Sequence, residues 1–431
     1  MRLLRLTVVC FVFVSGCAVF PGSQGTAAPA ATATPGFPAS ASQPAPTPAL
    51  PENPPAGVVL KLWLPQQFDI NLDNPAALIL RQRLEEFVAQ NPGVSLDVRI
   101  KADVGPGGMM DSFSTASAAA PLALPDLVAL PRFILEQAAL KGYLRQLDGL
   151  VLAIHDPDWY EYALQMSSVQ KSTFGLPFAG DALVMVYQPD AVSQPPQDWA
   201  QTLSISATVT FPASDTIALF TQAQYLAAGG QLQDDQGRPA VDKQILANVF
   251  RFYDQASLAG RMPFWLTQYE TDQQSWEAWQ SNPSGLTITW VSRVLQSHAD
   301  NMQAAPIPTL SGPTYTLSTA WVWALVSPSR DAQRDSITLR LAEFLCEPDF
   351  LGRWTKAAGY LPTRSTAFTA WDGDPHRDMV ARILSTTYPM PPANILAVLG
   401  PGLRQAVTSI LHQQVDPDQA AQNVLDALNP P

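Results

Sequence analysis

The chain has 431 residues, of which 37 are Asp or Glu and 25 are Lys or Arg, for a formal net charge of −12. So acidic a surface excludes nucleic acid and anionic lipid as partners held by charge. Three cysteines are too few for a disulfide framework, and the length exceeds what one hydrophobic core usually serves, so two lobes are expected.

The N-terminus carries Arg2 and Arg5, then an apolar run from Leu6 to Val14 that is too short to span a bilayer. Residues 1–16 read as an export signal. The run ends in Val14-Ser15-Gly16-Cys17, which resembles the bacterial lipobox. That resemblance implies acylation of Cys17, and two or three acyl chains anchor a protein where a single chain is marginal. The competing reading is a signal peptide with an incidental cysteine. Residues 18–56 hold ten prolines, eleven alanines and one charge, Glu52, and such a segment cannot bury enough apolar surface to fold. Residues 17–56 are therefore expected to be a tether, spanning roughly 35 Å as a flexible coil and about 120 Å as stretched polyproline II. Cys10 falls in the signal, which leaves Cys346, in "LRLAEFLCEP", as a buried small hydrophobe.

The folded part opens with Val58 to Leu64, a strand rich in β-formers. In "NPAALILRQRLEEFVAQNPG", Leu80, Leu84, Phe87 and Val88 mark one face of a helix and Glu85 and Glu86 the other, with Asn91-Pro92-Gly93 as the stop. "VSLDVRI" predicts a second strand, "GPGGMMDSFSTASAAA" a glycine-rich loop and helix, and "LPDLVAL" a third strand. That order makes a parallel sheet with crossover helices. Further on, "TFGLPFAGDALVMVYQPD" has a Gly-Leu-Pro break before a strand from Leu183 to Tyr187. Residues 215–290 read mostly helical and end in the strand "GLTITW"; "STAWVWALVSPS" is another buried strand. Two helices close the chain, the last capped by Asp416 or Asp418.

The succession "LKLWL", "LEEFVAQNPGVSLDV", "LPDLVAL", "LKGYLRQLDGL", "FGLPFAGDALVMVYQPD", "PPQDWAQTL", "AAPIP" and "GYLPTRSTAF" resembles the extracellular solute-binding proteins of ABC importers, of the carbohydrate-binding, maltose-binding-protein-like type. The resemblance covers residues 57–431 and implies an α/β fold of the type II periplasmic-binding-protein kind, two α/β lobes joined by hinge crossovers with a ligand cleft between them. Crossings are expected near Gly175 to Phe178, Trp321 to Trp323 and Ala358 to Pro362, so that 57–176 plus 322–357 form one lobe and 177–321 plus 358–431 the other. Two segments depart from the pattern. "VQKSTFG" stands where many relatives have an Asp-Gly-Lys turn, and Pro65-Gln66-Gln67 where they often show a histidine. The implied function is capture of a neutral sugar or oligosaccharide by a monomeric, lipid-anchored receptor on the outer face of the cell membrane, for delivery to an ABC permease.

Catalysis is not expected. The chain has no Gly-x-Ser-x-Gly elbow, His-Glu-x-x-His, Cys-x-x-Cys, phosphate loop or dinucleotide fingerprint, and neither cofactor nor metal is predicted. His155, His298, His376 and His412 are scattered through polar contexts, and Asp156/Asp158, Asp372/Asp374 and Asp416/Asp418 sit beside proline or glycine in predicted turns, where aspartate caps and closes Asx-turns. The enzyme alternative is an anchored glycan-degrading protein with a carboxylate pair. A third reading is a sensor or scaffold with a decayed cleft.

Among the 11 tryptophans, placement is what matters. Ligands in α/β lobes meet the carboxyl ends of strands, which selects Trp63, Trp290 and Trp321. An indole plane stacks on the C–H face of a pyranose while amides and carboxylates bind the hydroxyl rim. Only one of Trp321 and Trp323 is expected to face the cleft, and Trp321 is chosen. Core packing is the competing reading for every tryptophan. The polar candidates are Gln66 and Gln67 after the first strand, and Asp181, whose position commonly contacts ligand in the proteins this chain resembles. Arg132 is a candidate to reach the cleft from the first lobe, with a solvated charge as the favoured reading, and Asp215 is a helix cap first and a ligand contact second.

Overall fold

The computed structural model describes residues 57–428 except 104, 298, 300, 311–314 and 328–330. The export signal, Cys17, the tether and His298 lie outside the described residues.

Eleven strands are described: β1 (Val58–Pro65), β2 (Val94–Lys101), β3 (Leu127–Pro131), β4 (Ser168–Val169), β5 (Ser172–Thr173), β6 (Gly175–Tyr187), β7 (Val209–Thr210), β8 (Leu286–Trp290), β9 (Gln303–Ala305), β10 (Thr316–Leu325) and β11 (Thr387–Pro389). Nine of them make one sheet in the order β2-β1-β3-β10-β6-β8-β7, with β11 beside β10 and β9 beside β6. As predicted, β1 pairs in parallel with β2 and β3. The centre of the sheet is antiparallel, because β10 runs against both β3 and β6.

Each lobe buries apolar side chains on both faces of this sheet. Around β1 and β3, Leu60, Leu62 and Leu64 pack with Phe178, Trp323 and Trp354 on one face, and Trp63, Val128 and Leu130 pack with Val322 and Phe113 on the other. Around β8, Leu183, Met185, Ile288 and Leu317 join Phe250 and Leu399, while Val184 and Val186 join Trp276 and Trp371. The helix Pro75–Gln90 closes the first core with Leu80, Leu84 and Phe87, and its N-cap Asn74 accepts the Ala77 N–H at 2.8 Å. Cys346 is buried, and burial pushes its thiol pKa up.

The Gly-Leu-Pro segment is not a break. Gly175 begins a continuous 13-residue strand, every residue of it buried. The proline is tolerated because the ladder is irregular there: Val322 pairs with Pro177 and Trp321 with Ala179, so Phe178 is an extra residue and its ring stacks on Trp323 at 4.3 Å. The turn that departs from the relatives' Asp-Gly-Lys joins β4 to β5 with Gln170 at φ 50° and Lys171 at φ 69°. Two residues in the left-handed region make a hairpin turn of the kind glycine and asparagine favour.

β6 and β10 pass from one lobe's cores to the other's. The third crossing lies alongside, where Gly180 and Leu361 exchange backbone hydrogen bonds at 2.8 Å each way. A Cβ at Gly180 would fall on the Tyr162 hydroxyl, which donates to the Pro362 carbonyl. Gly180→Ala is therefore expected to lower the unfolding free energy by about 1–3 kcal/mol; a urea midpoint equal to that of the parent would show that the crossing has room.

Candidate functional site

β1, β3, β8, β9 and β11 point their C-terminal ends at the stretch where β6 and β10 pass from one lobe to the other. Residues directly opposite on neighbouring strands share a face of the sheet. Trp321 is opposite Ala179, Thr319 opposite Asp181, and Leu183 opposite both Leu317 and Trp290. Trp321, Thr319, Asp181 and Trp290 therefore lie on one face. The two tryptophans are four residues apart along β6, about 13 Å, and both are only partly buried.

Trp321 and Trp323, two residues apart, share that face; the expectation that only one of them could point that way was wrong about alternation. Depth separates them instead. Trp323 sinks into the first lobe and is 1% exposed, while Trp321, nearer the crossing, stays half-buried. The Trp321 ring stands edge-on to Phe68 at 5.0 Å, and Phe68 meets Tyr360 at 5.6 Å.

Asp181 is buried, 8% exposed. Its Oδ1 accepts the N–H groups of Ala182 at 2.9 Å and Ser292 at 3.1 Å, and its Oδ2 accepts the Ser292 hydroxyl at 2.6 Å. Burial dominates these bonds and raises the pKa from 3.8 to about 6, with the Asp272 carboxylate adding to the rise. The Ser292 bonds hold the chain immediately after β8, so Asp181 also positions Trp290. Asp272 in turn accepts from Thr289 Oγ1 at 2.5 Å and pairs with Arg293 at 2.9 Å.

Gln66 and Gln67 are exposed in the turn Gln66–Phe68 at the end of β1, and Gln67 Nε2 donates to Asp103 Oδ2 at 3.2 Å. Three other candidates go elsewhere. Trp63 lies on the opposite face of the sheet from Trp321, 2% exposed, 5.5 Å from Phe113 and capped by Lys101 at 4.7 Å; a one-residue step along a strand reverses the face. Arg132 is neither solvated nor in the cleft. It is 7% exposed, donates to the carbonyls of Met166 and Ser168 at 3.0 and 2.5 Å, and pairs with Glu136 at 2.5 Å. Asp215 accepts the N–H groups of Ile217 and Leu219, capping the helix Leu219–Ala227; burial raises its pKa.

The sequence reading missed Thr319, Phe68, Ser292 and Tyr360. Tyr360 lay within an expected crossing, and Phe68 directly follows the two glutamines. The acidic turns do cap: Asp416 accepts from Gln419, while Asp418 pairs with Arg251. Asp158 takes four hydrogen bonds from Arg364, Ser365 and Thr366, which outweigh its burial and lower its pKa to about 2. No group of acidic, His or Cys residues that could hold a metal is found among the described residues.

The folded Asp181 binds a proton that the unfolded chain releases between about pH 4 and 6, so its contribution makes stability fall as pH rises through that window and level off above it. Asp181→Asn is expected to remove this fall, a difference of about 3 kcal/mol between the two ends of the window. Urea titrations of both proteins at pH 4, 5, 6 and 7 would show parallel stabilities if the carboxylate were freely solvated.

A family model described as bacterial extracellular solute-binding protein matches residues 82–378. Among solved structures, the cyclic alpha-maltosyl-1,6-maltose binding protein from Arthrobacter globiformis superposes with a TM-score of 0.71 at 17% identity, over 87% of this chain and 98% of that one. The sugar-binding protein MalE from Xanthomonas citri gives 0.69 at 17%, over 85% and 95%. Maltose-bound MalE3 of T. maritima gives 0.66 at 16%, over 86% and 99%. At these identities the structures establish the fold, two α/β lobes about a shared sheet. The family match spans most of the folded part, and the chain belongs to the bacterial extracellular solute-binding proteins.

Proposed function

We propose that this protein is the solute-capturing component of an ABC importer and that its solute is a sugar or oligosaccharide. The observation that carries this reading is the shared face of Trp321 and Trp290, two half-buried indoles at the meeting line of the lobes with Thr319 and Asp181 between them. Indoles stack on the apolar faces of sugar rings, and a desolvated carboxylate accepts hydroxyl hydrogens strongly. Among proteins of the same fold, one is described as a cyclic alpha-maltosyl-1,6-maltose binding protein and another as maltose-bound. The lobe boundaries fall between Ala179 and Ala182 in β6, between Leu317 and Trp321 in β10, and at Leu361, where the contacts pass from one pair of cores to the other. A solute touching both lobes binds best when they are closed and shifts the population by that difference in affinity.

Gln66, Gln67, Asp181, Trp290 and Trp321 are the proposed ligand contacts. Calorimetric titration with maltodextrins, cello-oligosaccharides and polyols is expected to give saturable binding without breakdown products. Trp321→Ala is expected to weaken it roughly tenfold or more, while Trp63→Phe leaves it unchanged. A failure of every solute to bind, or release of shorter sugars, would refute the reading.

The acylated Cys17 and the 17–56 tether would keep the head at the membrane with enough slack to meet its permease repeatedly, which raises effective concentration there. No helix among the described residues is long and apolar enough to cross a membrane. Cys17→Ser is expected to move the protein from the membrane pellet to the supernatant; retention in the pellet would sink the lipid anchor.

A further inference from the structure

Asp103 lies just past the end of β2, where Lys101 pairs with Pro65 beside the Gln66–Phe68 turn. Its Oδ2 accepts from Gln67, whereas Oδ1 is closed off from solvent and has no hydrogen-bond partner among the described residues. Burial raises its pKa, and the Gln67 bond only partly opposes this. A buried carboxylate oxygen without a donor is a standing cost to the empty protein, removed when a ligand brings the donor.

The surrounding charge says which donor suits it. Tyr360 is buried, and after burial the carboxylates of Asp181 and Asp103 both push its pKa up against the opposing charge of Arg293, so both anions lie within electrostatic reach of one phenol. The nearby cations are engaged or turned away. Arg293 is held by Asp272 at 2.9 Å, Lys101 covers the Trp63 ring on the far face, and Arg404 faces Asp215. Neither Asp103 nor Asp181 makes an ion pair among the described residues. A neutral hydroxyl would satisfy Asp103 Oδ1, but an ammonium would satisfy it and also neutralise charge where the dielectric is low.

We propose that Asp103 is a solute-anchoring residue and that the cleft prefers sugars carrying a protonated amine to their neutral counterparts. This rests on the solute-binding reading above. The test compares matched pairs at pH 7 by calorimetry: glucosamine oligomers against cello-oligosaccharides, and 1-amino-1-deoxymaltotriitol against maltotriitol. The amine is expected to bind about tenfold tighter in whichever series binds, and both Asp103→Asn and Asp103→Ser to abolish that margin, weakening the amine about tenfold more than the neutral sugar. The ligand-free melting temperature of Asp103→Asn is expected to be no lower than the parent's, because a buried charge is removed. Equal binding of amine and neutral sugar, or a margin that survives in both variants, overturns the proposal and leaves the solute-binding reading standing. Binding of neither series overturns both.

Discussion

The two lobes are built on shared strands. β6 and β10 form one antiparallel ladder from Leu183–Leu317 to Gly175–Ala324, and each strand gives one half of its side chains to each lobe. Such a ladder cannot be parted without losing its hydrogen bonds, so relative motion of the lobes has to be absorbed where neither core claims the side chains. That stretch is short, Gly180 and Asp181 on β6 and Ser318 to Ala320 on β10, with Leu361 bonded alongside. Gly180 has no side chain because Tyr162 and Leu361 occupy the space. The stretch in which a change of lobe orientation would be least costly to either core is thereby limited to these few residues.

Asp181 occupies the same stretch, which explains its chemistry. A strand buried on both sides would normally carry an apolar residue there, and the charge is tolerated only because Ser292 and Ala182 give it three hydrogen bonds. Those bonds are not enough to offset burial. The carboxylate thus ties the start of the helix after β8 to the central ladder, and with it Trp290. One residue thus couples the central ladder to the strand end that carries Trp290.

Polar groups elsewhere do structural work of the same kind. Arg132 and Glu136 form a buried pair, and Glu136 also accepts the N–H of Ala393 at 2.7 Å, the first residue of the helix Ala393–Leu411. An acidic group at a helix N-terminus is favourable electrostatically, and here it joins the helix that follows β3 to the one that follows β11. Asp158 and Arg364 fasten the segment before β4 to the third crossing. The charges that sequence reasoning offered as ligand contacts or loop caps are, in these cases, fasteners between distant parts of the chain.

Secondary structure was readable in the sequence wherever it depends on near neighbours: the helix face of Leu80, Leu84 and Phe87, and the strands at 58–64 and 286–290. The aligned segments were enough to indicate the fold. Side-chain destinations were not readable, because facing depends on register between strands far apart in the chain and on single-residue irregularities. The extra residue at Phe178, the pairing of Thr319 with Asp181, and the face taken by Trp63 all arise from contacts at least 60 residues apart in the sequence. The sequence alone determined which elements form and in what order, since those are local free energies. Only the tertiary structure decided which tryptophans stay partly exposed where the lobes meet, which are core, and which carboxylates lose their water, since burial belongs to the packed whole.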